Sequence, residues 1–398
     1  MIKPLPFLRI FISLFLLINL LGIINFSFYE TRLEVKSLIY LLATGLTGIL
    51  FGNLFIRFLK LPISESKGVF KSNLFLIIYY LSNFLSITLI TITHILNKGI
   101  IIMQGDKRFI TFSYTNLFIY TAIITTIVYS AILLQEKLRF TKRFLFFLFL
   151  QSLFVLSMGY RSPLIILIGG VVIVFLIIDN GYFNNIKKFF TPDKLLILIV
   201  AFTTMSAISY YRVSQQYDPN KFFKNIDFNN LEDKPYLKPI MPTLAVFRYD
   251  QQVILKLIEE TENNHLFGKL AITNFLTILP GKQLGVRNKI GEIVDARKLP
   301  DGTPWSITPT LQGALFVDGG YIAVYIGFFI VGFFAEFLKK LMVSKKDPFT
   351  ITIYSLFIIN TLMLIHTGYY DLLFFILLVL IILLKFITYR INFKIHEN

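Results

Sequence analysis

Residues 144–179 read FLFFLFLQSLFVLSMGYRSPLIILIGGVVIVFLIID, and the fold turns on how this stretch is divided. Two apolar runs, 144–159 and 163–179, meet at Gly159-Tyr160-Arg161-Ser162-Pro163. Each run approaches the roughly 20 residues that a helix needs to cross a bilayer, where no water satisfies an open backbone. A single long helix is excluded, because a glycine, a charge and a proline stand together at the midpoint. The stretch is a helical hairpin in a membrane, with a tight turn on one side.

Outward from this hairpin the pattern repeats. Further runs of about spanning length lie at 10–28, 38–56, 74–96, 117–134, 195–211, 314–337, 349–366 and 370–388. Mean hydropathy is +0.69 and charged residues are 16%, well under the roughly 25% of soluble domains. The first run lacks a small-residue cleavage site and is expected to stay as an anchor. The fold class is therefore an all-α polytopic membrane protein with about ten transmembrane helices. There is no cysteine, which excludes a disulfide framework and a thiolate metal site. His94, His265, His366 and His396 show no ligand spacing.

The net charge of +16 is topology and not a nucleic-acid surface, because Lys and Arg collect between the apolar runs. With the N-terminus inside, the inner segments hold 20 basic residues and the short outer loops 6. That bias puts both termini in the cytoplasm and the long loop outside. Residues 1–210 then carry transmembrane helices one to seven. Residues 211–310 form one large extracytoplasmic loop with 13 of the 39 Lys and Arg, and 311–398 hold the last three spans and a cytoplasmic tail. Within the loop, 243–260 place Leu244, Phe247, Ile254, Leu257 and Ile258 near one helical face. This predicts an amphipathic helix capped by Thr243 after Pro242. Residues 270–279 are apolar but too short to span, and suit the membrane surface.

Three arginines stand at the outer level: Arg161 in the hairpin turn, Arg212 after the seventh run and Arg248 in the loop helix. A guanidinium suits a pyrophosphate, being always charged and able to donate two parallel hydrogen bonds; the bland alternative is snorkelling to head groups. Asp318, at the outer start of the eighth run, is either a general base for a sugar hydroxyl or an acid favoured by a helix dipole. Asp250 is a second candidate carboxylate, unless it simply pairs with Arg248 or a lysine. His366 and Asp371 bracket the last outer turn, and His94 ends the third run; these read as interface residues. No ionisable residue stands mid-span, which argues against an ion-coupled transporter. No Asp-x-Asp or Glu-x-Asp pair, phosphate loop or dinucleotide fingerprint occurs. The residues point to a metal-free transfer with no cofactor.

Three pieces resemble the O-antigen or oligosaccharide repeat-unit polymerases (Wzy type). These are Gly159-Tyr160-Arg161-Ser162-Pro163, the loop stretch from Gly268 to Leu279-Pro280, and the re-entry from Thr308-Pro309-Thr310 to Asp318-Gly319-Gly320. The family's proline-basic pair is here Pro280-Gly281-Lys282, and Ala314 stands where an acid is common. The resemblance implies a GT-C-like enzyme of the cell (inner or plasma) membrane. It would move a growing glycan from a polyprenyl diphosphate carrier onto the next lipid-linked unit. Arg161, Arg212, Arg248 and Lys282 would hold the pyrophosphate, and a carboxylate (Asp318 or Asp250) or a histidine would deprotonate the acceptor hydroxyl. Its partners would be polyprenyl-diphosphate-linked oligosaccharide, membrane lipids, a flippase and chain-length regulators, with no nucleic acid. An O-antigen ligase-like transferase, a lipid-linked glycan flippase or exporter, and an assembly subunit remain the alternatives.

Overall fold

The apolar runs become helices, and a folded loop covers one end of them. The computed structural model describes residues 5–24, 33–59, 69–70, 72–100, 113–136, 140–158, 161–178, 241–277, 284–298, 302–369 and 372–390. Six helices precede the loop: α1 (Phe7–Ile23), α2 (Val35–Phe58), α3 (Ser72–Leu96), α4 (Ser113–Gln135), α5 (Lys142–Ser157) and α6 (Arg161–Ile178). Then come α7 (Met241–Thr261), α8 (Lys269–Leu276), α9 (Val286–Ile293), α10 (Thr310–Lys345), α11 (Pro348–Thr367) and α12 (Leu372–Thr388). A two-residue antiparallel pair, β1 (Val69–Phe70) with β2 (Tyr389–Arg390), is the small exception to helix among the elements of the described residues. Of the ten expected spans, nine coincide with α1–α6 and α10–α12, while 195–211 lies outside the described residues. α2, α3, α4, α10 and α11 are long and apolar enough to cross a membrane, and α1, α6 and α12 are shorter apolar helices. The hairpin is as expected: α5 stops at Ser157 and α6 starts at Arg161.

Small residues bring α2 and α10 together. A Cβ at Gly48, Gly52 or Gly332 would stand 2.4, 2.0 or 2.2 Å from the facing backbone oxygen of Tyr325, Phe329 or Ile49. Without a hydrophobic drive inside lipid, such backbone proximity is what packs spans. Buried hydroxyls and amides tie α3 to α4 and α5, through Ser82 with Thr125 (2.9 Å) and Gln151 with Ser86 (3.0 Å). α11 starts sharply because Asp347 accepts from the amides of Phe349 and Thr350, with Pro348 at the first helical position.

The loop has a core of its own. Val253 and Leu257 of α7, Leu270 of α8, Val286 and Ile290 of α9, and Ala314 and Val317 of α10 pack together. Leu257, Leu270 and Ile290 are fully buried, worth about 2 kcal/mol each, so the described part of the loop folds as a cap. α7 matches the expected amphipathic helix but begins at Met241, ahead of the expected Thr243 cap. The reason is Pro242, which the first turn tolerates because its missing N–H has no partner there anyway.

α10 is two pieces. A continuous 36-residue helix would run about 54 Å, far beyond a hydrocarbon core of roughly 30 Å. It breaks at Gly319-Gly320, where Gly320 has φ 62° and ψ −152°. That conformation favours glycine, and a Cβ there would also lie 2.9 Å from His265 Nε2. Residues 310–318 lend Ala314 and Val317 to the loop core and Leu311, Leu315 and Phe316 to the bundle core, and 321–345 continue as the span.

Candidate active site

α7 presents different side chains to its two neighbours. Arg248 and Gln251 face α1, whereas Asp250, about 200° round the helix from Arg248, faces the end of α11. Arg248 is 1% exposed. Its Nη1 donates to the carbonyls of Gly22 (3.1 Å) and Ile23 (3.4 Å), the last of α1. Those oxygens lack helical partners and carry the negative end of the helix dipole, so a cation stabilises them. The approach depends on Gly22, where a Cβ would lie 2.5 Å from the Phe247 carbonyl oxygen. Next to it, Asn19 Oδ1 accepts from Gln251 Nε2 (3.2 Å) and Gln312 Nε2 (2.6 Å). α1, α7 and α10 thus meet in a buried polar knot.

On the other face, Asp250 is completely buried and its Oδ2 accepts from His366 Nδ1 at 2.7 Å. Burial holds the Asp250 carboxyl above the usual aspartate range, and His366 only partly opposes that. Asp250 Oδ1, Gln251 Oε1 and Gln312 Oε1 have no hydrogen-bond partner among the described residues. The His366 side chain is 39% exposed, so the imidazole bridges a sealed carboxylate and an open surface. Arg287 of α9 stands close enough to His366 for its charge to act on the ring.

Asp318 does something other than lead its own span. Its Oδ1 accepts from Leu270 N (2.9 Å), and its Oδ2 from Ala271 N (3.1 Å) and the Tyr369 hydroxyl (2.5 Å). It therefore caps α8, whose first amides have no helical acceptor. Burial and the Asp318 carboxylate push the Tyr369 phenol far above its ordinary value.

A small cleft of about 20 Å³, lined by Ser162, Asn360, Met363, Thr367 and Leu373, sets the start of α6 beside the end of α11. Arg161 opens α6, so its backbone and His366 share one end of the bundle. Arg212, Lys282 and Asp371 lie outside the described residues. His94 Nε2 meets Ser157 Oγ at 2.6 Å, joining α3 to α5. Sequence reasoning missed His366 as a centre, and with it Arg287, Tyr369 and the Asn19–Gln251–Gln312 knot. The pairing of His366 with Asp250 spans 116 residues, and no local pattern marks it. The amides did leave a sign: Asn19 interrupts an apolar run.

A buried carboxylate fixing one ring nitrogen of a part-exposed imidazole is an arrangement for taking a proton from a hydroxyl. The family model described as "Putative O-antigen polymerase" matches residues 2–378 of the chain. No curated protein and no solved structure matches it.

Proposed function

The chain belongs to the O-antigen polymerase family, and from that premise we propose that it joins lipid-linked repeat units at the outer leaflet. A surface-polysaccharide polymerase of the membrane is what membership itself gives. The finer reading concerns the chemistry. An acceptor sugar hydroxyl attacks the anomeric carbon of the growing glycan. The bond from that carbon to the carrier phosphate breaks, and its electron pair leaves with the polyprenyl diphosphate. The hydroxyl proton passes to His366 Nε2, while Asp250 holds the Nδ1–H side of the ring. The observation that carries this reading is the 2.7 Å contact between buried Asp250 and His366, whose side chain stays partly exposed.

Charge grows on the departing phosphate oxygens, so fixed guanidinium groups stabilise the transition state more than the ground state. Arg161, at the start of α6, and Arg287, close to His366, suit that task, with Arg212 and Lys282 as further candidates from the sequence. Arg248 contributes by fixing α7 on α1, and Asp318 by fixing α8, which makes both positioning residues. No step in this scheme calls for a metal.

The test is polymerisation in liposomes, with purified protein, lipid-linked repeat units and EDTA. Polymer is expected with wild type. Its formation should fall about 10²- to 10⁴-fold in His366→Gln, the range for a lost general base. Arg161→Ala should lose polymer as well, and Arg161→Lys should not restore it fully, since lysine offers no fork. A strict need for added divalent metal would refute the metal-free transfer. Transbilayer movement of substrate without polymer would make the protein a flippase.

A further inference from the structure

The far end of α10 is built unlike the end beside His366. Glu336 lies sixteen residues past the break at Gly320, about 24 Å along the axis, and so near the opposite face of the bilayer. Its buried carboxylate accepts from Asn53 Nδ2 (3.1 Å) and from the Lys339 ammonium, and lies 3.8 Å from Arg57 Nε. Beside it opens a cavity of about 390 Å³ lined by Arg9, Asn53, Arg57, Glu336, Lys339 and Tyr354.

The charges there do not balance. Three cations line the cavity and one carboxylate answers them. Lys339 and, at 3.8 Å, Arg57 share that carboxylate, while the Arg57 side chain stays 52% exposed and Arg9 has no ion pair among the described residues. Lys340, next along α10, is not part of the site, because its ammonium is spent on the carbonyls of Ile56, Arg57 and Leu59. The volume exceeds by far the roughly 30 Å³ of a water and suits a small polar ligand. Phe7 and Ala335 add apolar wall beside the cations. Two guanidinium groups and an ammonium beside an apolar wall are what a phosphodiester on a lipid requires. By the charge bias this end is cytoplasmic, where basic pockets between spans attract acidic head groups.

We infer that this cavity binds the phosphate headgroup of an acidic membrane lipid, in the leaflet opposite His366. The site is independent of the polymerase chemistry proposed above. The same phosphate chemistry could be met by a free anion, so the probes must separate the two sources. Full-length protein in a zwitterionic detergent is titrated with short-chain phosphatidylglycerol, short-chain phosphatidylcholine or inorganic phosphate, and its melting temperature is followed. Phosphatidylglycerol should raise it saturably, with little response to the other two. Arg9→Gln removes an exposed side chain with no ion pair among the described residues and should leave the fold intact; the midpoint should rise about fivefold, the loss expected for one basic residue. Arg9→Gln/Arg57→Gln should weaken it further. An equal response to inorganic phosphate would keep the anion site and overturn the lipid as its occupant. Equal responses to the two lipids, or an unchanged midpoint in Arg9→Gln, would overturn the inference altogether.

Discussion

Asp250 is fully buried, and among the described residues only one of its oxygens has a partner, the imidazole of His366. Its carboxyl stands above the ordinary aspartate range in the folded protein. A carboxyl raised in this way favours folding while protonated, and that contribution is lost as pH rises through the folded value. At neutral pH the ionised form therefore opposes folding, although the chemistry needs it. Asp250→Asn should raise the melting temperature at pH 7, by an amount that shrinks as the pH falls toward 4. Polymerisation should drop by about 10²-fold or more, because the ring loses its anionic partner. A lowered melting temperature at pH 7 would show that Asp250 is a stabilising ion-pair member and that this account is mistaken. The sequence could offer Asp250 only as one acid among several. What distinguishes it is a partner on α11, and proximity across 116 residues is decided by packing.

Elements were more legible than residues, and unevenly so. Length and composition mark the spans, and a glycine-arginine-proline cluster marks the α5–α6 turn. The 3.6-residue period marks α7. The break in α10 left only Asp318-Gly319-Gly320 as a trace, and the partner of Asp318 was hidden because it is backbone, the amides of Leu270 and Ala271. This makes a base and a cap separable by experiment. If Asp318 caps α8, Asp318→Asn keeps an acceptor for one of those two amides and should retain most polymerisation. Asp318→Ala, which keeps none, should cost about 1 kcal/mol as other lost caps do. Hydrogen exchange across 269–276 should then be about fivefold to tenfold faster. Loss of activity in Asp318→Asn equal to that in His366→Gln would instead return Asp318 to the reacting atoms.

At the scale of the whole molecule, the described ends constrain the path between them. α6 begins beside Thr367, at the end of α11, and runs for 18 residues, about 27 Å of axis, so it finishes at the far side. α7 lies back at the first side, since Asp250 meets His366 there. For the segment between Ile178 and Met241, the sequence expectation is one return crossing. The apolar run 195–211 is the segment of suitable length and lies outside the described residues. The bias of 20 inner to 6 outer basic residues, counted on that ten-span division, carries the same expectation. Reporters fused after Lys188 and within 222–233 should give opposite readouts, cytoplasmic and then external. Two cytoplasmic readouts would put Asp250 and His366 on different faces of the membrane, a result incompatible with their hydrogen bond and with any outer-leaflet site built on it.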